Sequence, residues 1–169
     1  GTIDLTGTNT YTGGTNITGA FVSANSAASL GDSSGALAMT GGGLNASSSF
    51  TDSRLVSLTG NREISVDGSQ TLTLSGVVSG TGNIQKKLGG TLALSATNTF
   101  TGGVTIINGT VKVAADNNLG GAAGNITIYG ANLNATSGFT TNRAFTLNDS
   151  FGGNQAIVVD SGQTLTVAG

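Results

Sequence analysis

A chain of 169 residues with a formal net charge of -2, no cysteine, histidine, proline or tryptophan, and only 8% charged residues excludes several classes of function at once. Thiol and disulfide chemistry are ruled out, no imidazole can act as base or metal ligand, and no basic face exists to neutralise nucleic-acid phosphates. No apolar run approaches the roughly 18 to 20 residues of a membrane-spanning helix, while abundant Thr, Val and Ile with near-neutral charge argue for a folded rather than a disordered chain.

Alternating apolar and polar residues predict strands along the whole chain. They run from Thr2-Ile3-Asp4-Leu5-Thr6 through Leu72-Thr73-Leu74, Leu92-Ala93-Leu94, Val104-Thr105-Ile106, Thr110 to Val113 and Ile126-Thr127-Ile128 to Ile157-Val158-Val159 and Leu165-Thr166-Val167. Alternation with a period of two puts one face of a strand inward and the other outward. Between the runs lie turn-forming clusters such as Thr12-Gly13-Gly14, Gly41-Gly42-Gly43 and Asn117 to Gly121, where glycine supplies the backbone angles that tight turns need. No window sustains a helical period for three turns, so the expected class is all-β.

Shifted by 89 residues, the chain matches itself. GTIDLTGTNTYTGGTNITG from Gly1 returns as GTLALSATNTFTGGVTIING from Gly90, and about 23 of the first 60 positions are identical. Leu30-Gly31 returns as Leu119-Gly120, Leu44-Asn45-Ala46 as Leu133-Asn134-Ala135, Phe50-Thr51 as Phe139-Thr140, and Arg54 as Arg143. The second copy then carries about four extra residues around Phe151 to Asn154, after which Asp67 to Leu72 is answered by Asp160 to Leu165. A fixed period is the mark of a solenoid or array. The expected units are 1-89 and 90-169, forming one continuous solenoid domain. Positions that return in both units are expected to be scaffold, because packing is needed in every unit and a catalytic constellation only once.

Propeller blades repeat at roughly 40 to 50 residues with aromatic signatures, and hairpin arrays need paired strands around two-residue turns. Neither pattern is present. A parallel β-helix fits, with about four coils of roughly 22 residues per unit and about seven or eight in all, a rod of about 35 Å at roughly 4.8 Å per rung.

The segment Gly90 to Val113, GTLALSATNTFTGGVTIINGTVKV, and its partner Gly1 to Gly19 resemble the autotransporter-associated β-strand repeat, also called the passenger-associated transport repeat, of bacterial autotransporter passenger domains. The lead-in Gly80 to Gly89 fits the same pattern; Ala96 in place of the usual Gly, and Ile17 to Phe21 in place of the usual closing segment, depart from it. The resemblance implies a right-handed parallel β-helix, exported through the outer membrane by way of a C-terminal barrel to the bacterial surface or the medium. No such barrel is present in this chain. The repeat motif residues are Asn9, Tyr11, Gly13 and Gly14 in the first unit and Asn98, Phe100, Gly102 and Gly103 in the second. The expected roles are hydrogen bonding by Asn to turn backbone, coverage of the neighbouring coil by the ring, and bending at the Gly pair.

Candidate chemistry is sparse. Gly31-Asp32-Ser33-Ser34-Gly35 superficially resembles a serine-nucleophile segment, but no histidine can serve as its base and Gly120 to Gly124 replaces it in the second unit. The acids Asp4, Asp32, Asp52, Glu63, Asp67, Asp116, Asp149 and Asp160 are scattered. Asp67 and Asp160 are expected to cap turns. Carbohydrate-active β-helices need facing carboxylates; Asp52 with Arg54, or Arg62 with Glu63, are the available groups, and the return of Arg54 as Arg143 points to scaffold. No catalytic, cofactor or metal site is expected.

The expected function is a stalk or secretion-assisting segment of an adhesin-like passenger. A glycan- or surface-binding solenoid and a self-stacking filament subunit are the alternatives. The expected partners are neighbouring coils of the same or an identical chain and a host or abiotic surface, with no nucleic acid and no embedding in a membrane. The opening at Gly1 inside a repeat and the stop at Gly169, which matches Gly76, suggest a piece of something longer or, for a complete chain, open rungs available for stacking.

Overall fold

The computed structural model describes residues 1–148 and 156–168. The four extra residues, Asp149 and Gly169 lie outside the described residues.

The chain winds as a parallel β-solenoid with up to three strands per turn. Face I carries β1 (Thr2–Leu5), β3 (Phe21–Ala24), β5 (Gly43–Ala46), β8 (Asn61–Val66), β11 (Asn83–Lys87), β13 (Val104–Ile106), β15 (Ile126–Tyr129) and β18 (Phe145–Asn148), hydrogen-bonded in that order. Face II carries β6 (Phe50–Asp52), β9 (Thr71–Leu74), β12 (Thr91–Leu94), β14 (Thr110–Val113), β16 (Asn132–Ala135) and β19 (Ala156–Val159). Face III holds β2 (Thr15–Ile17), β4 (Leu37–Met39), β7 (Val56–Leu58) and β10 (Val78–Gly80), and further along the chain the pair β17 (Phe139–Thr141) and β20 (Leu165–Val167). The eight strands of face I are separated by seven steps, about 34 Å at roughly 4.8 Å per step.

Every pairing is parallel and stacks like positions. On face I one inward column runs Ile3, Val22, Leu44, Ile64, Lys86, Ile106, Ile128, Leu147. On face II another runs Asp52, Leu74, Leu94, Val113, Ala135, Val159. The side chains of these columns fill the interior, which is why alternation was legible in the sequence. Outward positions stack as well, as in Thr71, Thr91, Thr110 and Asn132.

Partners on adjacent coils lie 19 residues apart between Ile3 and Val22, 22 between Val22 and Leu44, and 20 between Leu44 and Ile64. The turns are thus slightly shorter than the roughly 22 residues expected, and a unit holds slightly more than four coils. Between β1 and its copy β12 the chain takes thirteen steps from face to face, counting the two segments 6–14 and Ala27–Leu30 that occupy face II without a strand. Thirteen steps at three per turn are four and one third turns. Consequently β1, β3 and β5 lie on face I, whereas their copies β12, β14 and β16 lie on face II.

Two short 3-10 segments, Ala27–Leu30 and Asp116–Leu119, stand at equivalent places in the two units. Each ends at a glycine with positive φ, Gly31 and Gly120.

Interior positions are dry where coils stack on both sides: Leu92, Leu58 and Val66 are fully buried. Their counterparts in the outermost turns, Ile3 (53%), Leu147 (56%) and Val159 (36%), are exposed. The apolar stack therefore depends on coverage from both neighbours. Leu92→Ala, which cuts a column mid-rod, is expected to lower unfolding stability by about 2–5 kcal/mol, against less than about 0.5 kcal/mol for Leu55→Ala at the surface, as read by urea denaturation.

Candidate functional site

The side chains that recur between units converge on the 3-10 segments, and they do so from both neighbouring coils. From the preceding coil, the Asn9 amide donates to Ser29 O at 2.7 Å and its backbone N–H to Ala28 O at 2.9 Å. In the second unit, Asn98 donates to Asn118 O at 2.6 Å and its N–H to Asn117 O at 2.9 Å. Asn98 Oδ1 also accepts the Val78 N–H at 2.8 Å, so this one side chain ties three coils.

The rings follow the same plan. A side chain at Gly31 would collide with the Tyr11 ring, and one at Gly120 would collide with Phe100. The positive φ of these glycines, 89° and 85°, combines with that close approach to require glycine. Phe100 is fully buried between β10 and the segment Asp116–Leu119, whereas Tyr11, in the first turn, is 42% exposed. The Tyr11 hydroxyl bonds Thr15 Oγ1 at 2.9 Å, and Thr15 Oγ1 donates to Leu30 O at 2.9 Å. Gly14 and Gly103 hold φ of 80° and 81° beside the backbone of Ala36 and Asn125. Gly13 is open to solvent, whereas a side chain at Gly102 would meet the Gly82–Asn83 backbone.

From the following coil comes the strongest tie. Arg54 is buried and donates to Leu30 O at 2.6 Å, Ala27 O at 2.8 Å and Gly31 O at 3.2 Å. Arg143 does the same through Gly120 O and Gly121 O, both at 2.7 Å, Gly124 O at 3.1 Å and Asp116 O at 3.0 Å. A planar guanidinium with five donors suits a cluster of carbonyls around a short helix.

Each buried guanidinium is also paired with a carboxylate, which the two units supply from different places. Arg54 Nε pairs with Asp52 Oδ1 at 2.8 Å, where the second unit has Thr141. Arg143 Nε pairs with Asp116 Oδ1 at 2.8 Å, where the first unit has Ala27. For Asp116, desolvation raises the pKa, but the Arg143 and Thr141 hydrogen bonds and the Arg143 charge outweigh it and lower the pKa.

Lys86 interrupts an aliphatic column. Its ammonium is buried and donates to Lys87 O and Leu88 O, both at 2.7 Å, and to Asn108 O of the next coil at 3.2 Å. Leu88 reaches this geometry with φ of 60°. Desolvation pushes Lys86 down to about 8.

The remaining candidates do not assemble into a catalytic site. Asp32 is exposed and accepts the Ser34 hydroxyl at 2.7 Å and the Ser34 N–H at 2.9 Å, which lower its pKa, so the serine-nucleophile look-alike is a capped turn. Glu63 pairs with Lys87 at 2.6 Å and accepts Ser65 Oγ at 2.7 Å on the outside of face I. Asp160 accepts the Asn134 amide at 2.9 Å, and its carbonyl accepts the Gln163 N–H at 3.0 Å; the Asp67 carbonyl likewise accepts the Gln70 N–H at 3.0 Å. Among the described residues no group of three or more acidic side chains could hold a metal ion, and no helix is long and apolar enough to cross a membrane. A groove of about 390 Å³ beside the second 3-10 segment is open and floored by Ala93, Ala114 and Ala115.

Sequence reasoning met Lys86 only as part of the Gly80 to Gly89 lead-in and gave it no role, because its partners are backbone carbonyls. It also missed Gln70 and Gln163, whose side-chain oxygens accept the Ser49 hydroxyl at 2.9 Å and the Gly138 N–H at 2.8 Å on the previous coil. The recurrence of DGSQTL as DSGQTL was the available signal.

These ties define the class: a repeat solenoid whose recurring side chains bind coil to coil. The family model for the passenger-associated-transport-repeat matches residues 1–22 and 89–113, the two segments that bear the Asn, aromatic and Gly-Gly motif. Over 93 residues the chain is 39% identical to the adhesin BmaC autotransporter of Brucella suis biovar 1 (strain 1330), covering 55% of this chain and 3% of that protein. No solved structure matches. The chain therefore carries two segments that match the passenger-associated transport repeat and is similar, over about half its length, to a small part of an autotransporter adhesin.

Two outcomes are expected. Asp52→Thr leaves Arg54 unpaired and costs about 3–5 kcal/mol; adding Ala27→Asp, which imports the arrangement of the second unit, recovers most of it in urea denaturation. For Lys86, the folded chain releases its proton near 8 and the unfolded chain near the ordinary 10.5. Between those values the unfolded state binds more protons, so stability rises with pH there, by on the order of 3 kcal/mol. Denaturation midpoints from pH 7.5 to 10.5 are expected to show this rise, and Lys86→Met to abolish it.

Proposed function

We propose that this segment is a structural stalk of a surface-exposed or secreted, adhesin-like autotransporter passenger, and that its coil-by-coil folding assists export. The observation that supports it is the use of the recurring polar side chains: Asn9, Asn98, Arg54 and Arg143 are spent on backbone groups of adjacent coils. None of them is left facing solvent as a binding or catalytic group. The motif residues Asn9, Tyr11, Gly13, Gly14, Asn98, Phe100, Gly102 and Gly103 are read as scaffold, and the role as non-enzymatic. Residues 1-89 and 90-169 are read as two units of one continuous solenoid.

Such a rod gains stability additively, each coil offering its neighbour a template of aligned carbonyls, N–H groups and aliphatic side chains. A chain folding this way outside the cell draws on free energy released one coil at a time and needs no cysteine pairing. The matched adhesin is far longer than this chain, which spans 3% of it, in line with a segment that holds other modules at a distance.

In the native bacterium, deleting this segment in frame from the full-length protein is expected to shorten the surface projection seen by electron microscopy. Arg54→Leu with Arg143→Leu is expected to reduce the passenger exposed on intact cells several-fold, as read by surface proteolysis. The purified 169-residue chain is expected not to bind host cells or abiotic surfaces. Saturable binding by that chain would favour the surface-binding reading, and concentration-dependent rods in solution the filament reading.

A further inference from the structure

Of the buried cations, Arg54 is paired with Asp52 and Arg143 with Asp116, but Lys86 has no carboxylate among the described residues. Its ammonium meets backbone oxygens instead: Lys87 O and Leu88 O at 2.7 Å and Asn108 O at 3.2 Å. Glu63, on the strand before, is held by Lys87 on the outside of face I.

The third of those oxygens belongs to the one Asn-Gly step in the chain. Asn108 is exposed at the corner between β13 and β14, and its Oδ1 accepts the Gly109 N–H at 2.7 Å. The next N–H, of Thr110, bonds Gly90 O of the previous coil at 3.1 Å. The Gly109 nitrogen is thus turned toward the carboxamide of its own neighbour, and these are the two groups that close a five-membered succinimide ring. Packing requires glycine here, since a side chain at 109 would collide with the carbonyls of Gly90 and Leu88, and its φ is 72°. A glycine nitrogen is also the least hindered nucleophile that a following residue can offer. The first unit has Gly19-Ala20 at the matching place, so the step is not part of the recurring scaffold.

We infer that Asn108 is a self-modification site: it deamidates through Gly109, and the carboxylate produced is the anion that buried Lys86 lacks. The Gly109 nitrogen attacks Asn108 Cγ; a C–N bond forms, the Cγ–Nδ2 bond breaks, and ammonia leaves with the proton that the Gly109 nitrogen gives up. Water then opens the imide at one of its two carbonyls. Opening at Cγ restores the main chain and leaves an aspartate side chain. Opening at the main-chain carbonyl carbon of residue 108 leaves the chain running through Cγ as an isoaspartyl link. It also frees, as a carboxylate, the group whose oxygen Lys86 already holds. An ammonium bonded to that oxygen stabilises the charge that develops there as water adds, which favours the isoaspartyl opening. One water is taken up and one ammonia released, with no oxidant or cofactor. A carboxylate at hydrogen-bond distance favours charged Lys86, so its proton release moves from about 8 toward the ordinary 10.5. The inference does not depend on the stalk role.

The test ages the folded 169-residue chain at mildly alkaline pH and maps its peptides by mass. Asn108 is expected to exchange NH for O several-fold faster than any other asparagine, and isoaspartyl methyltransferase to label the product at residue 108. In Lys86→Met the product is expected to shift several-fold toward aspartate. Ageing the wild-type chain unfolded in urea, where the Lys86 contact is lost, gives the same comparison should that variant not fold. In the aged wild-type fraction the rise of stability with pH due to Lys86 is expected to shrink by half or more, whereas Asn108→Gln keeps its mass and the full rise after the same treatment. Loss of ammonia at Asn108 no faster than elsewhere, an isoaspartyl share equal in folded and unfolded chains, or an undiminished pH dependence after ageing would each overturn the inference.

Discussion

Everything in this molecule depends on parallel strands stacking in register, one coil directly upon the next. A strand of three or four residues cannot stand alone, because its backbone groups and one face of its side chains need a partner above and below. The column Ile3, Val22, Leu44, Ile64 on face I shows the solution: aliphatic groups of similar reach placed 19 to 22 residues apart along the chain. Exposure measures the same dependence, since Val66 is fully buried while Val159 in an outermost turn is 36% exposed.

Register alone leaves a problem at the corners. Where the chain forms the 3-10 segments Ala27–Leu30 and Asp116–Leu119 instead of strands, carbonyls at their ends lose their ladder partners. Two side chains from opposite directions restore them, Asn9 or Asn98 from the coil before and Arg54 or Arg143 from the coil after. Arginine is suited to this task because one rigid fork reaches three or more carbonyls at once and remains charged at any physiological pH. That charge must be balanced in a dry site, and the two units balance it with acids from different strands. The requirement is for a carboxylate near the guanidinium, not for a particular backbone position.

The same logic explains the other polar intrusions into the core. Asp52 replaces an aliphatic residue in its column because Arg54 needs it, and Lys86 replaces one because carbonyls from two stacked corners converge there. Such groups favour one register over its neighbours, since a slip would strand a charge among aliphatic side chains.

How much of this was legible beforehand follows from what each feature depends on. Alternation and turn residues are local, so the all-β class and eight strand-like runs could be read directly. Strands such as Phe50–Asp52 and Val78–Gly80 were not, because they are short and include a buried acid or a glycine that only the stacked neighbour makes acceptable. The 89-residue duplication marked Asn9 with Asn98, Tyr11 with Phe100 and Arg54 with Arg143 as recurring, without giving their partners, which for the Asn and Arg pairs lie 19 to 27 residues away on another coil. By itself, then, the sequence determined the fold class, the repeat and the positions that recur, because these rest on composition and periodicity. Only the tertiary structure decided the length of each turn, the one-third turn by which the units are offset, and the carbonyl clusters that Arg54, Arg143 and Lys86 satisfy. Those depend on which backbone atoms meet across coils, and a carbonyl is the same in every residue.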